Sequence, residues 1–244
     1  MLGWGVPHFG LFWKEIQKQY PKFQVQPPLG SQIERFGSPV LGLPPFTLEI
    51  GDGGRSRCWF FHENDVQLLQ VQDSRFILNW RKQTEETEYP HYSQFRPRFC
   101  QEWSRFVAFL RQVGLPQPAI VQCEVTYVNI IPRGTGWNGF QELQAVTPAW
   151  SGSHDWLPPP ESVALNARYL MPGELGRLHV TLQPAIRNTD ASEVLQLTLT
   201  ARGRPSSGDL EGMLKWFDLG HEWIVRGFTD LTSQKMHKHW QRTS

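Results

Sequence analysis

The chain has 244 residues, is 39% hydrophobic and 13% aromatic, and carries a formal net charge of +1. Eleven Trp and fifteen Phe supply enough apolar area to offset the entropy of ordering, so the composition excludes a disordered chain. The near-neutral charge argues against a dedicated nucleic-acid binder, whose affinity rests on clustered Lys and Arg, and the length allows one large domain or two small ones.

In chain order, Phe9, Phe12, Trp13, Ile16 and Tyr20 recur at helical spacing and predict a helix over 9–20, stopped by Pro21. The Pro- and Gly-rich segment 21–45 is expected to be extended or looped. Residues 46–50 alternate and predict a short strand, closed by a turn at 51–54. Residues 57–62 and 66–81 predict a hairpin. In its second run Phe76, Leu78 and Trp80 share one face, and Arg75, Ile77, Asn79 and Arg81 share the other. A polar loop over 85–90 leads to a helix near 93–113. Its apolar stripe is Phe99, Trp103, Phe106, Val107 and Leu110, and Gly114 and Pro116 mark its end.

Residues 120–131 predict a strong strand, with Gln122, Glu124 and Thr126 on one face and Val121, Cys123, Val125 and Tyr127 on the other. A Pro/Gly/Trp-rich bridge spans 132–161, with a short helix expected around 139–145. A three-stranded meander follows over 163–169, 177–186 and 194–201, turning at Pro172-Gly173 and at 188–190. Leu210, Met213, Leu214, Phe217, Ile224 and Phe228 predict a long helix near 208–229, capped by Ser207 or Asp209. Thr232 or Ser233 is placed to cap a final short helix carrying Met236 and Trp240.

The expected fold is α+β. It comprises two related β-α-βββ-α halves, 1–118 and 119–244, or one pseudo-symmetric domain, with a mainly antiparallel curved sheet backed by the long helices. The second half opens with a strand and the first opens on its helix. The residues before Phe9 are too few and too irregular to supply the counterpart. One sheet edge is therefore expected to lack its strand, either because it is open to pairing with another chain, as exposed edges are, or because the true start of the chain lies further upstream.

No catalytic motif emerges. His154-Asp155 is the most enzyme-like pair, but no GxSxG nucleophile accompanies it, so a hydrolase is the weakest function class. His221-Glu222 lacks the second His of HExxH, because Val225 stands there. Residues 134–139 fit G-x-G-x-x-G, yet no parallel βαβ unit follows. Three widely spaced cysteines without CxxC exclude the usual zinc and thioredoxin spacings, so neither metal nor cofactor is expected. The absence of a signal-like start or a long apolar span predicts a cytoplasmic protein.

The alternation places Arg168, His179, Thr198 and Arg202 in the second half, and Arg75, Asn79 and Arg81 in the first, on polar sheet faces. Such faces can grip an anionic or peptide ligand, although an antiparallel sheet also keeps one face wet for no further reason. Trp137, Trp150 and Trp156 in the bridge are candidate interface anchors.

Gly10-Leu-Phe-Trp13, Gln26-Pro-Pro28, Ile33-Glu-Arg-Phe36, Gln70-Val-Gln72, Arg75-Phe76, Asn79-Trp-Arg81 and the stretches 123–129 and 224–230 resemble a sporadically distributed bacterial protein family of unknown function. The resemblance covers nearly the whole chain. Members begin with a Pro-Pro-Val/Ile-Glu strand ahead of the Gly-Leu-Phe-Trp helix, and this chain lacks that strand. The resemblance brings no catalytic residues. Its patchy distribution implies horizontal transfer and a place in a defence or toxin–antitoxin-like operon.

The expected function is a non-enzymatic interaction subunit. It would bind a partner protein through a polar sheet face, the open first-half edge or the 132–161 bridge. The alternative is nucleic-acid or nucleotide binding on the polar face, for which the saddle of TATA-binding proteins is a fold analogy.

Overall fold

The computed structural model describes residues 1, 3–37, 56–84, 87–151, 155–187 and 189–240. The chain divides into two compact units, Met1–Ala119 and Ile120–Ser244. Both are α+β, and each holds a four-stranded antiparallel sheet, so the one curved sheet expected is in fact two sheets. The strand expected at 46–50 and the turn at 51–54 lie outside the described residues.

In the first unit α1 (Val6–Ile16) carries Pro7 in its first turn, where a missing N–H costs nothing. Strands β1 (Lys22–Gln26), β2 (Arg57–Phe61), β3 (Gln67–Gln72) and β4 (Arg75–Trp80) pair in chain order, and α2 (Tyr92–Gln112) follows. Two expectations are corrected. β1 lies inside the segment expected to be loop or extended chain. Lys22-Phe-Gln-Val-Gln26 does alternate, but Pro21 and Pro27 frame it closely and mask the pattern. The run 66–81 is two strands, because Asp73-Ser74 turns the chain back and sets Gln72 opposite Arg75.

Both helices cover one face of this sheet. Phe12, fully buried, meets Phe60 of β2 and Phe106 of α2 with ring centroids 5.7 and 5.2 Å apart. Phe76 of β4 meets Trp103 at 5.3 Å and Phe106 at 4.9 Å. Such pairs bury large rings in offset or edge-on contact. They place α1 over β2 and α2 over β4.

The helix layer leaves part of β1 exposed. Phe23 and Val25, the helix-side residues of β1, are 48% and 62% exposed, although Phe60 and Cys58 opposite them are buried. On the far side Phe95 and Trp103 of α2 touch the core and remain only half-buried. A helix is about 10 Å across and strands lie about 4.8 Å apart, so two helices cover about four strands. Here α1 reaches β1 through Trp13, whose ring lies 5.0 Å from that of Phe23, and α2 lies over β4.

The second unit runs β5 (Cys123–Pro132), a 3-10 helix (Phe140–Ala145), β6 (Leu165–Leu170), β7 (Gly176–Ile186), β8 (Glu193–Gly203), α3 (Leu210–Leu231) and α4 (Gln234–His239). Its sheet order is β5-β8-β7-β6. Asp209 caps α3 by accepting the Gly212 N–H at 2.8 Å, and Ser233 caps α4 by accepting from Met236. α3 lies across β5, β8 and β7. Gly220 faces Ala201, and Gly227 faces Leu178 and Leu199. Trp216 lies against the glycine pair Gly176 and Gly203 and donates from Nε1 to the Leu175 carbonyl at 2.9 Å. Among the described residues no helix is long and apolar enough to cross a membrane.

Candidate functional site

Alternate residues of an antiparallel ladder turn both backbone groups toward the same neighbour. The Arg81 N–H donates to the Val66 carbonyl at 2.8 Å, in register with the β3–β4 ladder. Arg75, Ile77 and Asn79 therefore address β3, while Phe76, Leu78 and Trp80 direct N–H and C=O outward. Among the described residues nothing hydrogen-bonds to those outward groups.

The second unit shows the same arrangement with a strand added. The Arg187 N–H donates to the Ser192 carbonyl at 2.9 Å, so the odd-numbered residues of β8 address β5. Counted from the last hairpin, β4-β3-β2 and β8-β7-β6 have the same order. β5 runs antiparallel beyond β8. The position beyond β4 carries no strand among the described residues.

The two faces of β4 differ chemically. On the helix side stand Phe76, Leu78 and Trp80. On the other side, Arg75 Nη2 donates to the Gly30 carbonyl at 2.7 Å and Arg81 Nη2 to the Asp65 carbonyl at 2.8 Å. The Arg81 guanidinium also lies 5.1 Å over the Phe61 ring. Neither arginine meets a carboxylate among the described residues. Arg57 shares this face, and burial, followed by the Arg75 charge, lowers its pKa from the ordinary arginine range.

Part of that polar face is already occupied. Gln70 Oε1 accepts from Arg57 Nη1 at 2.9 Å and Trp59 Nε1 at 2.8 Å, and Gln70 Nε2 donates to Asn79 Oδ1 at 2.5 Å. Leu29 donates its N–H to Gln72 Oε1 and accepts from Gln72 Nε2. Gln70 and Gln72 are buried as a result. Arg75, Asn79 and Arg81 do share a face, as expected, but Asn79 serves an internal network and not an open surface.

In the second unit the register sets His179 between Arg168 and Thr200, Thr198 between Thr181 and Val128, and Arg202 between Arg177 and Glu124. Arg168, His179, Thr198 and Arg202 therefore share the face opposite α3. Arg168 is exposed and the other three are half-buried. Arg202 Nε donates to Glu124 Oε2 at 2.6 Å.

The bridge behaves differently. Trp137 is fully buried, with Nε1 donating to the Ile131 carbonyl at 3.3 Å and the Arg133 guanidinium 5.5 Å from its ring. It is a core residue and not an interface anchor, because the Gly134–Gly136 turn folds it back onto its own strand. Trp150 is half-buried and Trp156 is 89% exposed.

His154 lies outside the described residues, and Asp155 is exposed. Among the described residues no three His, Cys, Asp or Glu side chains converge as a metal site. Thr232 Oγ1 lies 2.7 Å from His237 Nε2, but its proton goes to the Phe228 carbonyl at 2.5 Å, so the pair closes the end of α3 and activates nothing. Tyr127 OH and His221 Nδ1 meet at 2.9 Å, and burial lowers the His221 pKa. Burial pushes the Cys58 thiol up to about 11 and the Cys123 thiol to about 12, which makes both poor nucleophiles.

Compared with protein families, with curated proteins and with solved structures, the chain matches none.

Proposed function

We propose that this protein is a non-enzymatic interaction subunit that binds a partner protein by accepting a strand along β4. One observation carries the reading: among the described residues the outward N–H and C=O groups of Phe76, Leu78 and Trp80 have no hydrogen-bond partner, beside a strand that Trp103 of α2 covers at Phe76. Such edges are either blunted or used, and β-strand addition is how they are used. The β1 edge offers less, because Phe23 already meets Trp13 of α1 at 5.0 Å and Val25 stands 62% exposed.

The two units are, on this reading, copies of one plan in which three meander strands lead into a long helix. The shared strand order supports this. The resemblance to a sporadic bacterial family supports a cytoplasmic role in a defence or toxin–antitoxin-like operon. Co-expression with each protein encoded beside it, followed by light scattering, should yield a stoichiometric complex. Hydrogen exchange at Phe76, Leu78 and Trp80 should slow in that complex. A monomer with every neighbour, or a complex that leaves β4 exchange unchanged, would remove the reading.

A second reading is nucleic-acid or nucleotide binding on the second-unit face, favoured by the convergence of Arg168, His179 and Arg202 there. It requires binding that weakens steeply with salt and falls on Arg168→Ala.

A further inference from the structure

A second contact, independent of β4, lies in the segment that leads into β6. We propose that Trp156-Leu-Pro-Pro-Pro160 is a docking segment for a partner protein whose groove is lined by aromatic side chains and rimmed by basic ones.

Covalent geometry sets the shape of this segment. A pyrrolidine ring fixes φ at about −65°, and a residue that precedes a proline is held out of the helical region. Leu157 precedes Pro158, Pro159 and Pro160, so four successive residues are confined to the polyproline II region. The backbone bends at 155–157 and again at 161, and runs without a bend over 158–160. Among the described residues no backbone hydrogen bond involves 156–161. Residues 158–160 offer carbonyl acceptors and no N–H donor, so this rod can neither join a sheet as a full strand nor extend a helix.

Its side chains face water. Trp156 is 89% exposed and Leu157 is 53% exposed. Of the eleven tryptophans Trp156 alone is exposed, and all the others are buried or half-buried. Pro158 and Pro159 are exposed as well, whereas Pro160 is half-buried and Val163 is buried. The fold therefore grips the carboxyl end of the rod and presents its other end. A rigid spacer would need the prolines but not the bare indole.

A pre-ordered rod loses little conformational entropy on binding. Segments of this kind are held with their pyrrolidine rings in aromatic-lined grooves, and an exposed indole supplies an anchor for an apolar pocket at the groove's end. Asp155 and Glu161, both exposed, bracket the rod with negative charge. Basic residues at the two ends of the groove complement them.

The test titrates the intact protein, by isothermal titration calorimetry, with three purified domains that grip proline-rich segments through aromatic-lined grooves: an SH3, a WW and an EVH1 domain. At least one is expected to bind, and most tightly where basic residues rim its groove. Pro158→Ala/Pro159→Ala and Trp156→Ala should each weaken that binding about tenfold. Both alter exposed side chains, so their urea midpoints should stay close to the parent's and the loss cannot be assigned to unfolding. Asp155→Lys/Glu161→Lys should weaken it about threefold.

Binding by none of the three domains would overturn the inference. So would binding that survives the double proline change or Trp156→Ala, or that is unchanged or strengthened by the charge reversal. None of these readouts involves β4. Failure of strand uptake there leaves the present inference standing, and failure of the present inference leaves strand uptake standing.

Discussion

Trp137 and Trp156 sit in the same Gly- and Pro-rich bridge and are predicted to behave oppositely. Trp137→Ala removes a fully buried ring and its hydrogen bond, and should cost about 3–5 kcal/mol by urea denaturation. Trp156→Ala alters an exposed ring and should stay within about 0.5 kcal/mol. Nothing in the local pattern separates them, because a loop tryptophan looks the same whether its turn points outward or back. The second-unit cluster was legible, because a period of two fixes which strand residues share a face. Its neighbours across the sheet, such as Glu124 bound to Arg202, needed the register as well.

Buried charge gives a further test at single side chains. Glu102 is fully buried, with Arg98 Nη2 at 3.1 Å and Arg105 Nη1 at 3.3 Å. Replacing it by Gln leaves two partly exposed guanidiniums uncompensated, and should cost about 2–3 kcal/mol in a urea titration. His62 and His221 both have pKa values lowered from 6.5, chiefly by burial. The unfolded chain therefore takes up protons near pH 6.5 that the folded chain resists. Stability should be level above that pH and decline as pH falls below it. The urea midpoint at about pH 5.5 should lie below that at about pH 7.5, and His221→Gln should narrow the gap. If the two midpoints coincide, burial does not suppress protonation at these sites.

Among the elements, the β7–β8 contact makes the clearest demand. A Cβ on Gly203 would strike the Leu175 carbonyl and lie 2.6 Å from the Gly176 Cα, which are backbone atoms that cannot swing aside. Gly203→Ala should destabilise by about 1–3 kcal/mol and disturb the Trp216 environment, seen as a fluorescence shift. The helices and the second-unit meander are evident from periodicity alone, within a few residues at their ends. β1 is not, because its five residues are short and framed by prolines. The β3–β4 turn is hidden for another reason: Asp73-Ser74 interrupts an otherwise continuous strand-like run and carries no Gly. The pairing order of β1 to β4, and the packing of Phe76 under Trp103, depend on long-range contacts that no local pattern reports.

For the whole molecule, strand uptake on β4 would tie folding to company. If a partner strand binds the folded first unit and not the unfolded chain, it raises stability by RT ln(1 + [L]/Kd), about 2.7 kcal/mol at a hundredfold excess over Kd. Melting temperature should then climb with partner concentration in a thermal scan, and a flat response would contradict strand uptake. Copies made in excess of the partner would open first where the ladder ends on Phe76, Leu78 and Trp80, and proteases act on what opens. The bare edge would in that way meter the protein, keeping its cellular level in step with the chain that completes its sheet.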